Sequence, residues 1–338
     1  MIREAIDILV SGCPLSFEQA AGVMEEIMSG EATPAQIAAF VTALRIKGET
    51  VDEIAGLASV MRAKAIPVIV APPVVDTCGT GGDNSASINI STAAAFVAAG
   101  AGLKVAKHGN RAMTSHCGSA DVLEALGVKI DLGAEAVAEC LETVGIGFMF
   151  APIFHPAMKH AAVPRREIGI RTVFNILGPL TNPARAEYQV IGVPSEELGS
   201  KIASVLHRLG TKHSLVVHSL DGMDEISISG QSLVWEVNED KVSPPYEVSP
   251  QHFGFKRASL TEVKGGSPED NANMLRRILD GKRGPQRDVV VMNAAAVLLA
   301  SNRASDFKEG AHLAEEVINS GQAREKLEGL VRLSQSLG

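Results

Sequence analysis

Apolar side chains recur at helical spacing through roughly the first 65 residues, as with Ile37, Phe40, Val41 and Leu44 on one face of a single segment. Helix starts are marked beside them. Ser16-Phe17-Glu18-Gln19 and Thr50-Val51-Asp52-Glu53 both fit a capping box, and Thr33-Pro34-Ala35-Gln36 puts proline at a first helical position. Gly30 and Gly48 stand where helices should stop. The pattern predicts three or four short helices, enough for a small helical domain. At Ala65-Ile66-Pro67, with Pro72-Pro73 close behind, the texture changes to that of a hinge or linker.

From Val74 the period alternates. Val74-Asp76, Leu103-Lys107, Gly147-Phe150, Gln189-Val193 and Ser214-His218 read as short strands. Helical runs separate them at Ser91–Ala101, Ser119–Leu126, Ala134–Val144 and Ser195–Leu209. Such alternation predicts an α/β fold whose central sheet is mostly parallel. Between Gly230 and Gly266 helical periodicity disappears and Pro244-Pro245 intervenes, which predicts a β-rich or irregular insertion. Four further helices are expected over Pro268–Leu279, Asp288–Ala300, Phe307–Ser320 and Ala323–Leu333.

Bulk properties narrow the function classes. A chain of 338 residues, 46% hydrophobic and 21% charged, supports a large core and a second, smaller domain. A net charge of −8 disfavours nucleic acid or an anionic membrane as partner. The longest apolar stretches, Ser85–Leu103 and Val289–Ser301, are interrupted by polar residues or too short to span a bilayer. The opening residues are charged and amphipathic rather than those of a signal peptide, so a cytoplasmic location is expected. Cys13, Cys78, Cys117 and Cys140 lie far apart without a CxxC pair, which points to neither a disulfide framework nor a zinc site.

The most telling stretch is Asp76-Thr77-Cys78-Gly79-Thr80-Gly81-Gly82-Asp83, between an apolar run and the helix opening at Ser91-Thr92. A strand, a glycine-rich turn and a helix N-terminus together bind phosphate: backbone N–H groups close on an anion where no Cβ intrudes. The segment is neither a P-loop nor a GxGxxG fingerprint, so it specifies an anion rather than a nucleotide class. A second loop, Lys107-His108-Gly109-Asn110-Arg111-Ala112-Met113-Thr114-Ser115-His116-Cys117-Gly118-Ser119, follows the next strand and ends on a residue suited to cap the helix after it. Ligands of open α/β sheets gather at the carboxyl ends of strands. Two such loops side by side suit a ligand carrying phosphate at both ends.

Asp221-Gly222-Met223-Asp224-Glu225 follows another strand. Its neighbouring carboxylates could be a solvated turn, but beside phosphate loops they favour magnesium, which commonly links carboxylates to a substrate phosphate. Lys159, Arg165, Arg166 and Arg171 form a basic cluster after His155-Pro156, and one arginine could hold a carboxylate in a bidentate fork. Pairing with Glu167 or with a partner subunit is the alternative for any one of them. His108, His116, His155 and His160 lack the HExxH spacing, and Cys78 and Cys117 read as small buried residues rather than nucleophiles.

DTCGTGGD, NISTAAA, KHGNRAMTSHCGSADVLEALG, HPAMKHAAVPRREIGIRTVFNILGPLTNPA and DGMDEIS, in that order, resemble the signature segments of the anthranilate phosphoribosyltransferase family, and the likeness covers nearly the whole chain. Ser87 stands where threonine is frequent. The resemblance implies transfer of phosphoribose from 5-phosphoribosyl 1-diphosphate to the amine of anthranilate, in tryptophan biosynthesis. It implies a nucleoside phosphorylase-like fold: a helical domain over 1–66, joined by helices from about 165–185, and an α/β domain over 72–338. It implies a homodimer with two magnesium ions per subunit and no dedicated catalytic base. Position by position, the donor would be held by Gly79, Gly82, Asp83, Ser87, Asn89, Ile90, Ser91, Thr92, Lys107, His108, Gly109, Asn110, Arg111, Ala112, Met113, Thr114, Ser115 and Ser119. Ser91, Asp224 and Glu225 would bind metal; Gly79, Asn110, His155 and Arg165 would meet anthranilate.

Two rival readings are weaker. A nucleoside phosphorylase has no use for a metal-diphosphate site. A non-catalytic nucleic-acid binder of this fold should show eroded loops and a basic surface, unlike the full loops and −8 charge here.

Overall fold

The computed structural model describes residues 1–83, 85–112 and 117–338. Four helices open the chain: α1 (Ile2–Val10), α2 (Phe17–Met28), α3 (Pro34–Lys47) and α4 (Val51–Lys64). The expected caps form. Ser16, Thr33 and Thr50 each accept the N–H three residues on, while Gln19, Gln36 and Glu53 accept the cap residue's own N–H in return. Glu53 does more than cap. Fully buried, it also accepts the Leu15 N–H at 2.9 Å and pairs with Lys47 at 2.9 Å, which offsets the cost of burying its charge. Gly48, at φ +88°, ends α3.

Seven described strands follow: β1 (Val74–Gly79), β2 (Lys104–Gly109), β3 (Ile146–Phe150), β4 (Tyr188–Gly192), β5 (His213–Ser219), β6 (Ser232–Asn238) and β7 (Tyr246–Val248). They form one sheet in the order β3-β2-β1-β4-β5-β6-β7. The five strands from β3 to β5 are parallel, and β6 and β7 add antiparallel at the edge. That edge is the β-rich insertion expected after Gly230. β1 runs three residues past the expected Asp76, because Thr77, Cys78 and Gly79 find ladder partners in Val190, Ile191 and Gly192.

The chain leaves β1 toward β2 on one side, and β4 lies on the other. Such a reversal of strand order opens a crevice at the carboxyl ends of the central strands.

Ten described helices cover the sheet and its ends: α5 (Ile90–Gly100), α6 (Ser119–Ala125), α7 (Ala134–Thr143), α8 (Ala151–Phe154), α9 (Lys159–Ile168), α10 (Glu196–Arg208), α11 (Pro268–Leu279), α12 (Pro285–Ala300), α13 (Phe307–Asn319) and α14 (Gln322–Ser336). α5 and α12 are apolar nearly all round and buried, as a helix without a polar face must be. α12 starts three residues ahead of the expected Asp288, with Pro285 at its first position. One hydrophobic core lies between the sheet and α5, α12, α13 and α14. A second gathers α1–α4, residues 161–180 and the sheet face under α10, with Trp235 fully buried in it.

Candidate functional site

β1 ends by handing the chain to the glycine loop. Thr80 donates its N–H to the Gly192 carbonyl at 2.9 Å, which holds the loop's first residue on β4. Gly81 and Gly82 then adopt φ +67° and +83°, conformations that a side chain would strain. The Gly81 N–H donates to Asp224 Oδ2 at 2.8 Å, and the Ser91 N–H, at the start of α5, donates to Glu225 Oε1 at 3.2 Å. The carboxylate pair after β5 therefore sits against the glycine loop and the α5 N-terminus.

Asn89 precedes α5 without capping it. Its side chain bridges the Cys117 carbonyl at 3.0 Å and Asn271 Nδ2 at 2.9 Å instead, so Glu225, not a cap residue, meets the Ser91 N–H.

β2 brings Lys107 into the same place. Its buried ammonium donates to the Thr77 carbonyl at 2.6 Å and to Ser91 Oγ at 3.3 Å. Beyond it, Asp121 on α6 ties both ends of the second loop by accepting the N–H groups of Ala112 and Gly118, each at 2.9 Å. Gly118, not Ser119, is the residue before α6, so the expected capping position moves by one and Asp121 performs the task.

Together these elements wall a cavity of about 480 Å³, which Arg165, Arg171 and Asn175 close from the α9 side. A ligand of sugar-phosphate size fits such a volume.

Charges inside it are unbalanced. Burial and the neighbouring Asp83 push the Asp224 carboxyl well above its ordinary range. Burial and Asp224 do the same to Glu225. The Lys107 ammonium is lowered by burial, against the pull of Asp76 and Glu225. Carboxyls held above their ordinary range by desolvation and like charge favour a hard cation, which takes oxygen ligands. Among the described residues no three His, Cys, Asp or Glu side chains are grouped as a metal centre, so a cation here could take only part of its shell from Asp224 and Glu225. The hydroxyl oxygens of Thr80 and Thr92, buried in the cavity wall, have no partner among the described residues. The thiols are inert by comparison: burial raises Cys78 well above its ordinary value and pushes Cys117 up to about 11.

The chain's residues 3–65 match the model of the glycosyl transferase family helical bundle domain, and residues 71–324 match that family's a/b domain. Over 338 residues it is 61% identical to an anthranilate phosphoribosyltransferase of Dehalococcoides mccartyi, covering 100% of this chain and 99% of that one. The crystal structure of anthranilate phosphoribosyltransferase from Thermus thermophilus superposes with a TM-score of 0.93 at 45% identity, covering 98% of this chain and 99% of that one. The Saccharomyces cerevisiae enzyme in complex with PRPP and Mg superposes with a TM-score of 0.92 at 30% identity, covering 99% and 98% respectively. This chain belongs to the anthranilate phosphoribosyltransferase family.

Most positions that the family resemblance singled out meet in the one cavity. Gly79, Gly82, Asp83, Ser87, Asn89, Ile90, Ser91 and Thr92 line it with Lys107 through Ala112, Ser119, Arg165, Asp224 and Glu225. Met113, Thr114 and Ser115 lie outside the described residues. The Arg111 guanidinium is engaged on α6, holding Glu124 at 2.8 and 3.0 Å and Asp121 at 3.0 Å. His155 is not in the wall; it packs behind His108, ring centroids 5.1 Å apart. Asn175, Gly265, Gly266 and Asn271 line the cavity without having been expected to. The Gly265 N–H donates to the Ala86 carbonyl at 2.8 Å, which brings this distant stretch to the rim. Gly265-Gly266 was the available signal for it.

The two buried histidines give the family member a pH signature. Burial, and for His108 also the neighbouring His155, lowers His108 to about 3 and His155 to about 4. A histidine whose folded pKa lies below its unfolded value costs stability when the unfolded chain takes up protons that the folded one refuses. Stability contributed by these rings should thus be complete above pH ~6.5 and drain away as pH falls toward about 4. Thermal unfolding followed from pH 7 to 4.5 should show Tm falling, with a shallower fall in His155→Leu. Parallel curves for the two proteins would exclude His155 as a source of the slope.

Proposed function

We infer that this protein transfers the phosphoribosyl group of 5-phosphoribosyl 1-diphosphate to the amine of anthranilate. The products are N-(5-phosphoribosyl)anthranilate and diphosphate, and the step belongs to L-tryptophan biosynthesis. One observation carries the reading: the glycine loop, the second loop, the carboxylate pair and Arg165 face a single cavity. The glycine loop and the α5 N-terminus bind one anionic group through N–H donors, with Lys107 beneath them adding a full positive charge. Arg165 faces the same space from α9 and supplies a planar fork for the acceptor's carboxylate.

In the reaction the amine lone pair forms a bond to ribose C1 while the C1–oxygen bond to diphosphate breaks and its electrons leave with that oxygen. The acceptor nitrogen then loses a proton to water or to the departing diphosphate. An arylamine is neutral at physiological pH, so attack needs no strong base. The protein's task is positioning and charge stabilisation. Magnesium, when bound, would offset charge on the leaving group; Ser91, Asp224 and Glu225 would hold it, with two ions per subunit in this reading.

The domain division, 1–66 with a contribution from about 165–185 against 72–338, is supported by the second core, in which Ala161, Val173, Phe174 and Leu177 pack with α1–α4. No described helix is long and apolar enough to cross a membrane. A cytoplasmic homodimer completes the proposal. Light scattering on the purified protein checks the dimer.

Anthranilate fluorescence tests the activity: its loss should require both the donor and magnesium. Replacing Arg165 with alanine should raise the anthranilate KM roughly 30-fold or more, the effect of deleting a charge-assisted contact, while donor KM moves little. Donor affinity falling instead would overturn the assignment of Arg165 to the acceptor.

A further inference from the structure

The segment that carries Arg165 also reaches the glycine loop. α9 ends at Gly169, in the left-handed region at φ +67°, and the chain turns so that Arg171 lies across residues 80–82. Arg171 Nη2 donates to the Gly81 carbonyl at 2.8 Å and to the Thr80 carbonyl at 3.3 Å. Its hydrogen-bond partners among the described residues are these two carbonyls and no carboxylate.

A trans peptide points its C=O and N–H in opposite directions. Holding two successive carbonyls from one side therefore sets where the N–H groups of Gly81 and Gly82 aim. The Gly81 N–H goes to Asp224 Oδ2 at 2.8 Å, and both glycines have positive φ. Both glycines line the cavity, so the direction of their peptide planes decides what the loop offers a ligand. Space at the contact is filled: a Cβ on Gly82 would lie 1.6 Å from Arg171 Nη1. The guanidinium can rest on the loop only because residue 82 is glycine.

We propose that Arg171 is a positioning residue for the donor, presetting the peptide planes of the glycine loop and tying that loop to the segment that presents Arg165. This rests on the cavity being the phosphoribosyl diphosphate site. The donor loop takes its binding shape only while the acceptor segment is seated against it. Lysine can replace the arginine only in part, since a flexible ammonium lacks the planar, fixed donor directions with which Nη2 serves both carbonyls.

The test is calorimetric titration of 5-phosphoribosyl 1-diphosphate with magnesium, without acceptor, alongside Tm and steady-state KM values. Arg171→Met should weaken donor binding about 10- to 100-fold while anthranilate KM at saturating donor shifts less than about 3-fold. Arg171→Lys should recover part of the loss. Gly82→Ala should weaken the donor in both backgrounds, since φ +83° strains any side chain there, but measurably less on top of Arg171→Met, where the clash with the guanidinium is gone. Unchanged donor affinity in Arg171→Met, an equal Gly82→Ala penalty in both backgrounds, or a rise confined to anthranilate KM would each overturn the proposal. Failure of the wild-type protein to bind the donor would overturn the reading of the cavity, and this proposal with it.

Discussion

Alanine at both Asp224 and Glu225 is expected to remove the magnesium dependence of turnover and to lower kcat/KM by roughly 30- to several-thousand-fold, the range for deleting charge-assisted contacts in a desolvated site. Without a cation, both carboxyls are pushed upward by burial and by negative neighbours, Asp83 for the first and Asp224 for the second. A carboxyl raised in the folded state opposes folding above its unfolded pKa, because the native protein resists the ionisation that the unfolded chain allows. Their removal should therefore leave the Tm of the metal-free protein equal or higher. Magnesium, binding only the native state, should raise Tm in the wild type and not in the variant. Thermal melts across a magnesium titration separate this from plain structural damage, which would lower Tm at every concentration. An unchanged magnesium profile would refute the metal role.

What could be read from the sequence followed from locality. The capping boxes at Ser16 and Thr50 announce themselves within four residues, and the helices form where they say. β1 and the glycine loop were legible for the same reason, since strand, turn and cap chemistry are contiguous. Site residues contributed over long separations were legible only in part. Asp224 drew notice as half of a carboxylate pair, yet its hydrogen bond to Gly81 spans 143 positions. Nothing local marked Asn271, which enters the wall because its side chain meets Asn89 across 182 positions. Arg171 showed as one of several basic residues; that its partners are carbonyls of the glycine loop is a tertiary fact. The Arg111 side chain went to α6 for a related reason, since Asp121 and Glu124 lie on the next helix and offer a full ion pair. Helix spacing places those carboxylates on one face, so this ion pair is one tertiary contact that pattern alone could have suggested.

Gly192→Ala should be the most damaging single methyl in the molecule. Residue 192 ends β4 opposite Gly79, and its carbonyl receives the Thr80 N–H. A Cβ there would lie 1.6 Å from the Asp224 carbonyl oxygen and 2.6 Å from its carbon. Those are backbone atoms, so no rotamer change relieves the overlap; either the strand end or the 224–225 turn must move. Gly79 is the useful contrast: its Cβ would meet Asp224 Oδ2, the end of a side chain that can swing aside. Overpacking of this kind costs roughly 1–3 kcal/mol. Displacing the carboxylates by about 1 Å can by itself cost on the order of 100-fold in rate. Gly192→Ala is thus expected to lose both stability and at least two orders of magnitude in kcat/KM, whereas Gly79→Ala should keep its Tm and lose activity chiefly through donor and metal binding. Melting curves and steady-state rates on the pair decide the matter. Wild-type Tm and turnover in Gly192→Ala would mean that the Asp224 backbone does not rest on β4, and the geometry that joins the carboxylates to the glycine loop would be wrong.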